Sequence, residues 1–302
     1  MHIVLVTAEP RAAYHIAPLM KAAGRRNASI THLVPYPEPV QGHPWPATTS
    51  DPRVLETADR IVVTGGSLSA WTEIIARLAN ERGVPVRFVE LATIGENKPG
   101  DTPNIEAVSA VSPATATTLS ERFKIDRQNI RVTGTPLLDE MPAWTPGARN
   151  CVLYSRVDAA ERDPRRELWR VGDQLVNQGW NVKVRCHPRE DRTLWERFTF
   201  CEETTPAAAA AHARIMVGYP GTAHAVVAAM GCPVVALAPG RMREHDLPVA
   251  QRRLVSGWYE TAEEVIAAMA GAKPAPKDLI ADAVGPIGGA AERIISFILE
   301  KS

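Results

Sequence analysis

Short, almost purely apolar runs alternate along the chain with stretches whose apolar residues recur every three to four positions. The first kind predicts strands at 3–6, 30–34, 61–63, 86–91, 107–111 and 130–132, rich in β-branched residues. The second kind predicts helices at 12–23, 68–82 and 114–123, with a shorter one at 54–59. The segment 35–52, rich in Pro, Gly and Ser, reads as a loop. Strands that lack a polar face and alternate with helices indicate a parallel sheet covered on both sides.

A Pro- and Gly-containing stretch, 142–149, reads as a linker. Beyond it the pattern restarts. Strands are predicted at 151–154, 182–185, 215–217 and 234–237, and helices at 165–178, 192–198, 223–230, 262–269 and 290–299. The expected architecture is α/β with two Rossmann-like domains, 1–144 and 145–302, and a cleft between them. Open sheets of this kind bind ligands beyond the carboxyl ends of their strands, so residues just past each strand carry the information.

The strongest such signal is Gly218-Tyr219-Pro220-Gly221-Thr222-Ala223, where a strand runs into a glycine-containing turn and a helix begins. Free amides at a helix start favour a phosphate, and Thr222 can cap the helix or donate to that phosphate. A plain tight turn with a capped helix is the alternative. The strand at 182–185 leads into Val184-Arg185-Cys186-His187-Pro188-Arg189-Glu190, where His187 suits a phosphate or ribose and Arg185 or Arg189 a negative charge, and Glu190 is given no role. The alternative there is a surface loop stiffened by proline. Arg156 follows the strand at 151–154 and is either a ligand cation or a solvated arginine.

In the first half, Glu9, Arg11 and His15 follow the first strand, and Gly65, Gly66 and Ser67 follow the strand at 61–63. Glu9 or His15 can act as a base toward an acceptor hydroxyl, or merely cap and pack a helix. Gly65–Ser67 offer backbone donors, or form a simple turn. Trp71 and Trp258 are expected to pack.

Composition narrows the classes. The 302 residues carry 34 basic and 34 acidic side chains, so no global field draws nucleic acid or an anionic surface. Arg241, Arg243, Arg252 and Arg253 form a local basic cluster that reads as a solvated face. The four cysteines, Cys151, Cys186, Cys201 and Cys232, form no CxxC pair, and Asp-x-Asp is absent, so neither a metal nor a cofactor is expected. The chain opens directly on a strand and has no apolar run long enough to span a bilayer, which suggests a cytoplasmic protein.

Four segments, in this order, resemble the UDP-N-acetylglucosamine 2-epimerase branch of the GT-B superfamily. Residues 10–19, PRAAYHIAPL, are similar to that family's RPEAIKMAPL, and 132–139, VTGTPLLD, to its VTGNTVID. Residues 218–235 resemble its nucleotide-binding turn and helix, and 285–294, GPIGGAAERI, its YGDGKASERI. The resemblance implies a GT-B fold and a nucleotide-sugar, such as a UDP-sugar, held by the second domain. Arg156, Arg185, His187, Arg189, Tyr219, Gly221, Thr222, Ala223 and His224 would form the donor side. Arg11, Gly65, Gly66 and Ser67 would lie on the acceptor side. Related epimerases are often dimers, so a homodimer is compatible with the resemblance.

The chain departs from the epimerases where they carry GDT, here Gly65-Gly66-Ser67, and where they carry HRREN, here Ser155-Arg156-Val157-Asp158. The ribose-binding glutamate of many GT-B enzymes is replaced by Val226, with His224 as a substitute contact. Sugar transfer to a hydroxyl acceptor, small molecule or macromolecule including DNA, is therefore expected. An epimerase- or hydrolase-like enzyme and a non-catalytic binding protein are the alternatives.

Overall fold

The computed structural model describes residues 1–7, 13–35, 48–64, 70–91, 104–156, 163, 165–187, 190–203, 205–239 and 249–300, with side chains except at 13–15, 70, 249 and 250. These residues form two compact units, Met1–Glu140 with Gly285–Ser302, and Met141–Val284.

The first unit contains β1 (His2–Val6), α1 (Ala13–Arg25), β2 (Ser29–Leu33), β3 (Thr48–Thr49), β4 (Arg60–Thr64), α2 (Ala70–Glu81), β5 (Val86–Val89), β6 (Ala107–Ala110), α3 (Pro113–Phe123) and β7 (Ile130–Val132). Its sheet runs β3-β2-β1-β4-β5-β6-β7, and every pair is parallel. Side chains alternate between the two faces of a strand. Val4 and Val6 therefore join Ile61, Val63 and Phe88 on one face, while Ile3 and Leu5 join Val62 and Val89 on the other. Both faces are buried, which is why these strands lack a polar side.

The second of those faces is covered by α1 and by the C-terminal helix Ala290–Leu299, through Ile16, Leu19, Ile294, Ile295 and Ile298. Asp139 accepts from the amides of Ala290 at 2.6 Å and Ala291 at 2.9 Å, and so caps this helix. At its other end, buried Arg87 donates to the carbonyls of Phe297 and, at 3.0 Å, Glu300. The boundary between 1–144 and 145–302 read from the linker therefore differs from the compact units at the C-terminus. Residues 285–300 complete the first core, because their apolar face and both their ends have partners there.

The second unit contains β8 (Asn150–Tyr154), α4 (Glu167–Asn177), β9 (Asn181–Arg185), β10 (Thr199–Phe200), α5 (Pro206–Ala210), β11 (Ile215–Gly218), α6 (Ala223–Ala229), β12 (Val234–Leu237), α7 (Val249–Arg252), β13 (Trp258–Tyr259), α8 (Ala262–Met269) and α9 (Lys277–Val284). Its sheet, β10-β9-β8-β11-β12-β13, is again wholly parallel. Leu153, Val217 and Val235 pack beneath Leu168, Val171 and Leu175 of α4 and Val265 of α8. Buried Glu167 joins those two helices, since it accepts from the amide of Ala262 at 2.8 Å and from Arg170 at 2.8 Å.

Local structure departs from the sequence expectation in a few places. Residues 52–57 and 192–195 form 3-10 turns rather than α-helices, each entered through an aspartate that accepts an amide two residues on. β3, β10 and β13 are two-residue edge strands, and α5, α7 and α9 are further helices, all outside the periodicity reading.

Candidate functional site

In both sheets the chain leaves one central strand, builds outward on one side, and returns to the other side of it. The reversal falls between β1 and β4 in the first sheet and between β8 and β11 in the second. Open α/β sheets bind ligands at such a reversal. In the second sheet Gly218 is the register partner of Tyr154, so the turn 218–222 starts there.

The two glycines of this turn do different work. A Cβ on Gly218 would stand 2.8 Å from the Tyr154 Cβ and 2.9 Å from its carbonyl, so glycine here permits close strand contact. A Cβ on Gly221 would meet only the Tyr219 carbonyl, at 3.7 Å, and otherwise enter open space. Thr222 is exposed, and its side chain makes no cap bond to α6. Among the described residues the amides of Gly221 and Thr222 have no backbone acceptor. Gly221, Thr222 and Ala223 are thus partly or fully exposed residues whose amides are not used by the described backbone.

Tyr219 and His224 do not share this exposure. The Tyr219 phenol is buried and donates to Asp163 Oδ2 at 2.6 Å. Burial first, and then the adjacent carboxylate, push its pKa well above the usual phenol range. His224 is fully enclosed, with Nδ1 3.1 Å from the Gly221 carbonyl and Nε2 3.2 Å from the Gly218 carbonyl. Burial lowers its pKa to about 4, so at neutral pH it carries one N–H and donates to one of the two carbonyls. It staples the turn from beneath, and its ring has no face left for a ribose, which corrects the expectation of a ligand contact. Val226 is buried, in keeping with an apolar role.

Beside the turn, Arg156 donates to the Pro220 carbonyl at 3.5 Å, which brings a guanidinium to the same edge. Arg185 lies one strand further out and donates to the Glu203 carbonyl, so it ties the β9–β10 edge. His187 is half-buried in the loop after β9. Arg189 lies outside the described residues.

The sequence reading missed the residue that organises these loops. Glu190 Oε1 accepts from the Ser155 hydroxyl at 2.6 Å and from Trp195 Nε1 at 2.9 Å, and Oε2 accepts from the His187 amide at 3.3 Å. One carboxylate thus joins the segment after β8 to the segment after β9. Its only sequence signal is its place three residues past His187, the spacing of a turn that closes on its own amide. The Glu190 amide indeed donates to the His187 carbonyl at 2.9 Å.

In the first unit, Glu9, Arg11, Gly65, Gly66 and Ser67 lie outside the described residues, as does the side chain of His15. Arg241 and Arg243 of the basic cluster are outside them too, while Arg253 stands 4.0 Å from Asp282. The described strand ends are closed. Thr7 and Thr64 are buried, and the Thr7 hydroxyl is 2.9 Å from His32 Nε2. Burial holds the His32 pKa near 4, so that imidazole is neutral. Glu90, just past β5, is fully buried and accepts from the Val111 amide and the Thr115 hydroxyl, both at 2.7 Å. Among the described residues no group of three or more His, Cys, Asp or Glu side chains is placed to hold a metal ion. None of the described helices is long and apolar enough to cross a membrane.

Solved structures share this architecture over their full length. The S. aureus MnaA structure with UDP superposes with a TM-score of 0.68 at 15% identity, covering 100% of this chain and 98% of that one. The UDP-GlcNAc 2-epimerase from Neisseria meningitidis bound to UDP-GlcNAc gives 0.66 at 12% identity, with 100% of both chains covered. The glycotransferase of kitacinnamycin gives 0.61 at 12% identity, covering 98% and 99%. This chain has the GT-B fold. Within GT-B the neighbours include both epimerases and transferases, so the fold alone does not choose between these chemistries. No protein-family model and no curated protein matches the sequence.

Proposed function

We propose that this protein is a glycosyltransferase that moves a sugar from a nucleotide-sugar to a hydroxyl acceptor. One observation carries the reading. At the strand reversal of the second sheet, the amides of Gly221 and Thr222, which have no backbone acceptor among the described residues, adjoin the exposed Thr222 hydroxyl, with Arg156 at their side. Such a set suits a diphosphate, and donors fixed before the reaction stabilise the charge that develops on a leaving diphosphate. In this reading Thr222, Gly221, Ala223, Arg156 and His187 hold the donor without help from a divalent ion. Arg185 and Arg189 add positive charge at the neighbouring loop. Glu9 or His15 serves as base, and Arg11, Gly65, Gly66 and Ser67 line the acceptor side. The MnaA and epimerase structures were solved with UDP and UDP-GlcNAc, which supports a uridine nucleotide as the carrier.

A screen of nucleoside diphosphates and nucleotide-sugars by thermal shift tests the binding step, since a ligand of the folded state raises Tm by mass action. The expected result is a rise with at least one uridine nucleotide, unchanged by EDTA. No shift with any nucleotide would remove the reading. The likeness to an epimerase supports a second reading, in which the same site turns over a nucleotide-sugar without an acceptor. Solvent deuterium entering the sugar at C2 would favour it, and product formed only when an acceptor is supplied would favour transfer.

A further inference from the structure

Tyr219 lies in the middle of the turn, but its side chain is buried in the core with Leu168, Val171 and Leu175 of α4, whereas Thr222 is exposed. There it meets Asp163, which is 2% exposed. Asp163 Oδ2 takes the phenol at 2.6 Å and the amide of Leu168, in the first turn of α4, at 3.3 Å. Asp163 Oδ1 is buried and has no hydrogen-bond partner among the described residues. A buried carboxylate with one oxygen unsatisfied is costly, so this pair adds less to stability than an apolar pair of the same shape would. A buried phenol–carboxylate bond has a defined length and direction, whereas an apolar ring in the same slot is free to slide. The next residues along the chain are Pro220, which has no N–H to offer, and then Gly221 and Thr222, which carry the donor amides.

We propose that Asp163 is a positioning residue for the phosphate seat. Acting through Tyr219, it anchors the turn to the start of α4 and fixes the height at which the Gly221 and Thr222 amides meet a nucleoside diphosphate. This rests on the nucleotide-sugar reading above. His224 braces the same turn through the Gly218 and Gly221 carbonyls, so the segment is held at both ends and in the middle. The fold also supplies a control. Tyr154, the register partner of Gly218, is a second buried tyrosine, and its phenol donates to the Pro206 carbonyl at 2.6 Å. Its phenol meets a backbone carbonyl rather than a carboxylate, and its link to the turn is its own carbonyl, which accepts from the Tyr219 amide at 3.1 Å and is kept when the phenol is removed.

The test is calorimetric titration of UDP, and of ADP, GDP and CDP, at a temperature far below every variant's Tm. Wild type is compared with Tyr219→Phe, Asp163→Ala, the double variant, Asp163→Asn and Tyr154→Phe. Tyr219→Phe and Asp163→Ala are each expected to weaken the nucleotide about tenfold, and the double variant no further than either one, because the two act as one unit. Asp163→Asn keeps an oxygen for the phenol and is expected to retain most of the affinity. Tyr154→Phe lowers Tm and leaves affinity at the wild-type value. Wild-type affinity in Tyr219→Phe would overturn the proposal, as would an equal loss in Tyr154→Phe or additive losses in the double variant. Wild type binding none of the four nucleotides would instead overturn the nucleotide reading, and the positioning role with it.

Discussion

The two sheets share a strand order around their central strands, yet their reversals are finished differently. In the second unit, β11 ends in glycine and α6 begins five residues later, and two amides between them adjoin an exposed hydroxyl. In the first unit, the described ends of β1 and β4 are threonines turned inward, one of them against His32. Each unit also buries a neutral histidine near these strand ends. His32 meets a side chain, while His224 meets two carbonyls of its own turn. Topology supplies a place for a ligand in both sheets. In the second sheet the described residues past the strand leave amides without a backbone acceptor, whereas in the first the described strand-end hydroxyls are buried and the residues after them, 8–12 and 65–69, lie outside the described set.

That contrast can be broken most forcefully at Gly218. Gly218→Val drives a side chain into the Tyr154 backbone, and a loss of about 3 kcal/mol or more is expected from the clash, read as a large fall in Tm or an insoluble product. Gly221→Val, three residues on, enters open space, so it should fold with nearly wild-type Tm while abolishing nucleotide binding. Equal damage to folding at both glycines would refute the division of labour between them.

The next largest effect is on pH dependence. His224 has a folded pKa of about 4 against 6.5 when unfolded, so the unfolded chain takes up the proton first. Its contribution is complete above pH 6.5 and lost as pH falls toward 4, worth about 3 kcal/mol in total. His32 acts in the same direction. Thermal melts from pH 7.5 to 4.5 should show a steep loss of Tm, and His224→Gln should flatten part of it. Thr222→Ala is subtler still. It should weaken UDP by ten- to a hundredfold, in line with about 1.5–3 kcal/mol for a hydrogen bond to a charged group, and leave Tm unchanged because no cap bond is lost. The smallest effect belongs to the first unit. Asp139→Ala removes the cap of the C-terminal helix, and a loss of about 1 kcal/mol should appear in chemical denaturation without a change in nucleotide affinity.

Much of the fold could be read along the chain because its central strands are apolar on both faces. Runs such as 61–63 and 215–217 read as strands because they are short, rich in β-branched residues and followed by glycine-containing turns. Edge strands escaped the same reading. Thr48–Thr49 is two polar residues long, and only its pairing with β2 makes it a strand. The turn at 218–222 was legible because a strand, two glycines and a helix start adjoin in sequence. The supports beneath it were not. Asp163 meets Tyr219 from 56 residues away, and Glu190 meets Ser155 from 35. A carboxylate in a sequence looks alike whether it is solvated, as at exposed Glu202, or enclosed, as at Glu90. His224 was read as a ligand contact because it follows the turn, and nothing local reveals that its ring folds back under Gly218.

The clasp of Asp139 and Arg87 on the C-terminal helix has a consequence for the order of events on the ribosome. Residues 141–284 are an insertion within the first unit, so that unit's first 140 residues emerge long before the helix that covers Leu5 and Val62. At the usual ~5–20 residues per second, roughly ten to thirty seconds pass between the two. The second unit is complete in sequence before the first and is free to close its own core earlier. During that interval α1 alone covers that face of the nascent first sheet, and the apolar surface awaiting the C-terminal helix makes it a natural client for a chaperone. A chain ending at residue 284 would keep that surface exposed for good, visible as strong binding of a hydrophobic dye.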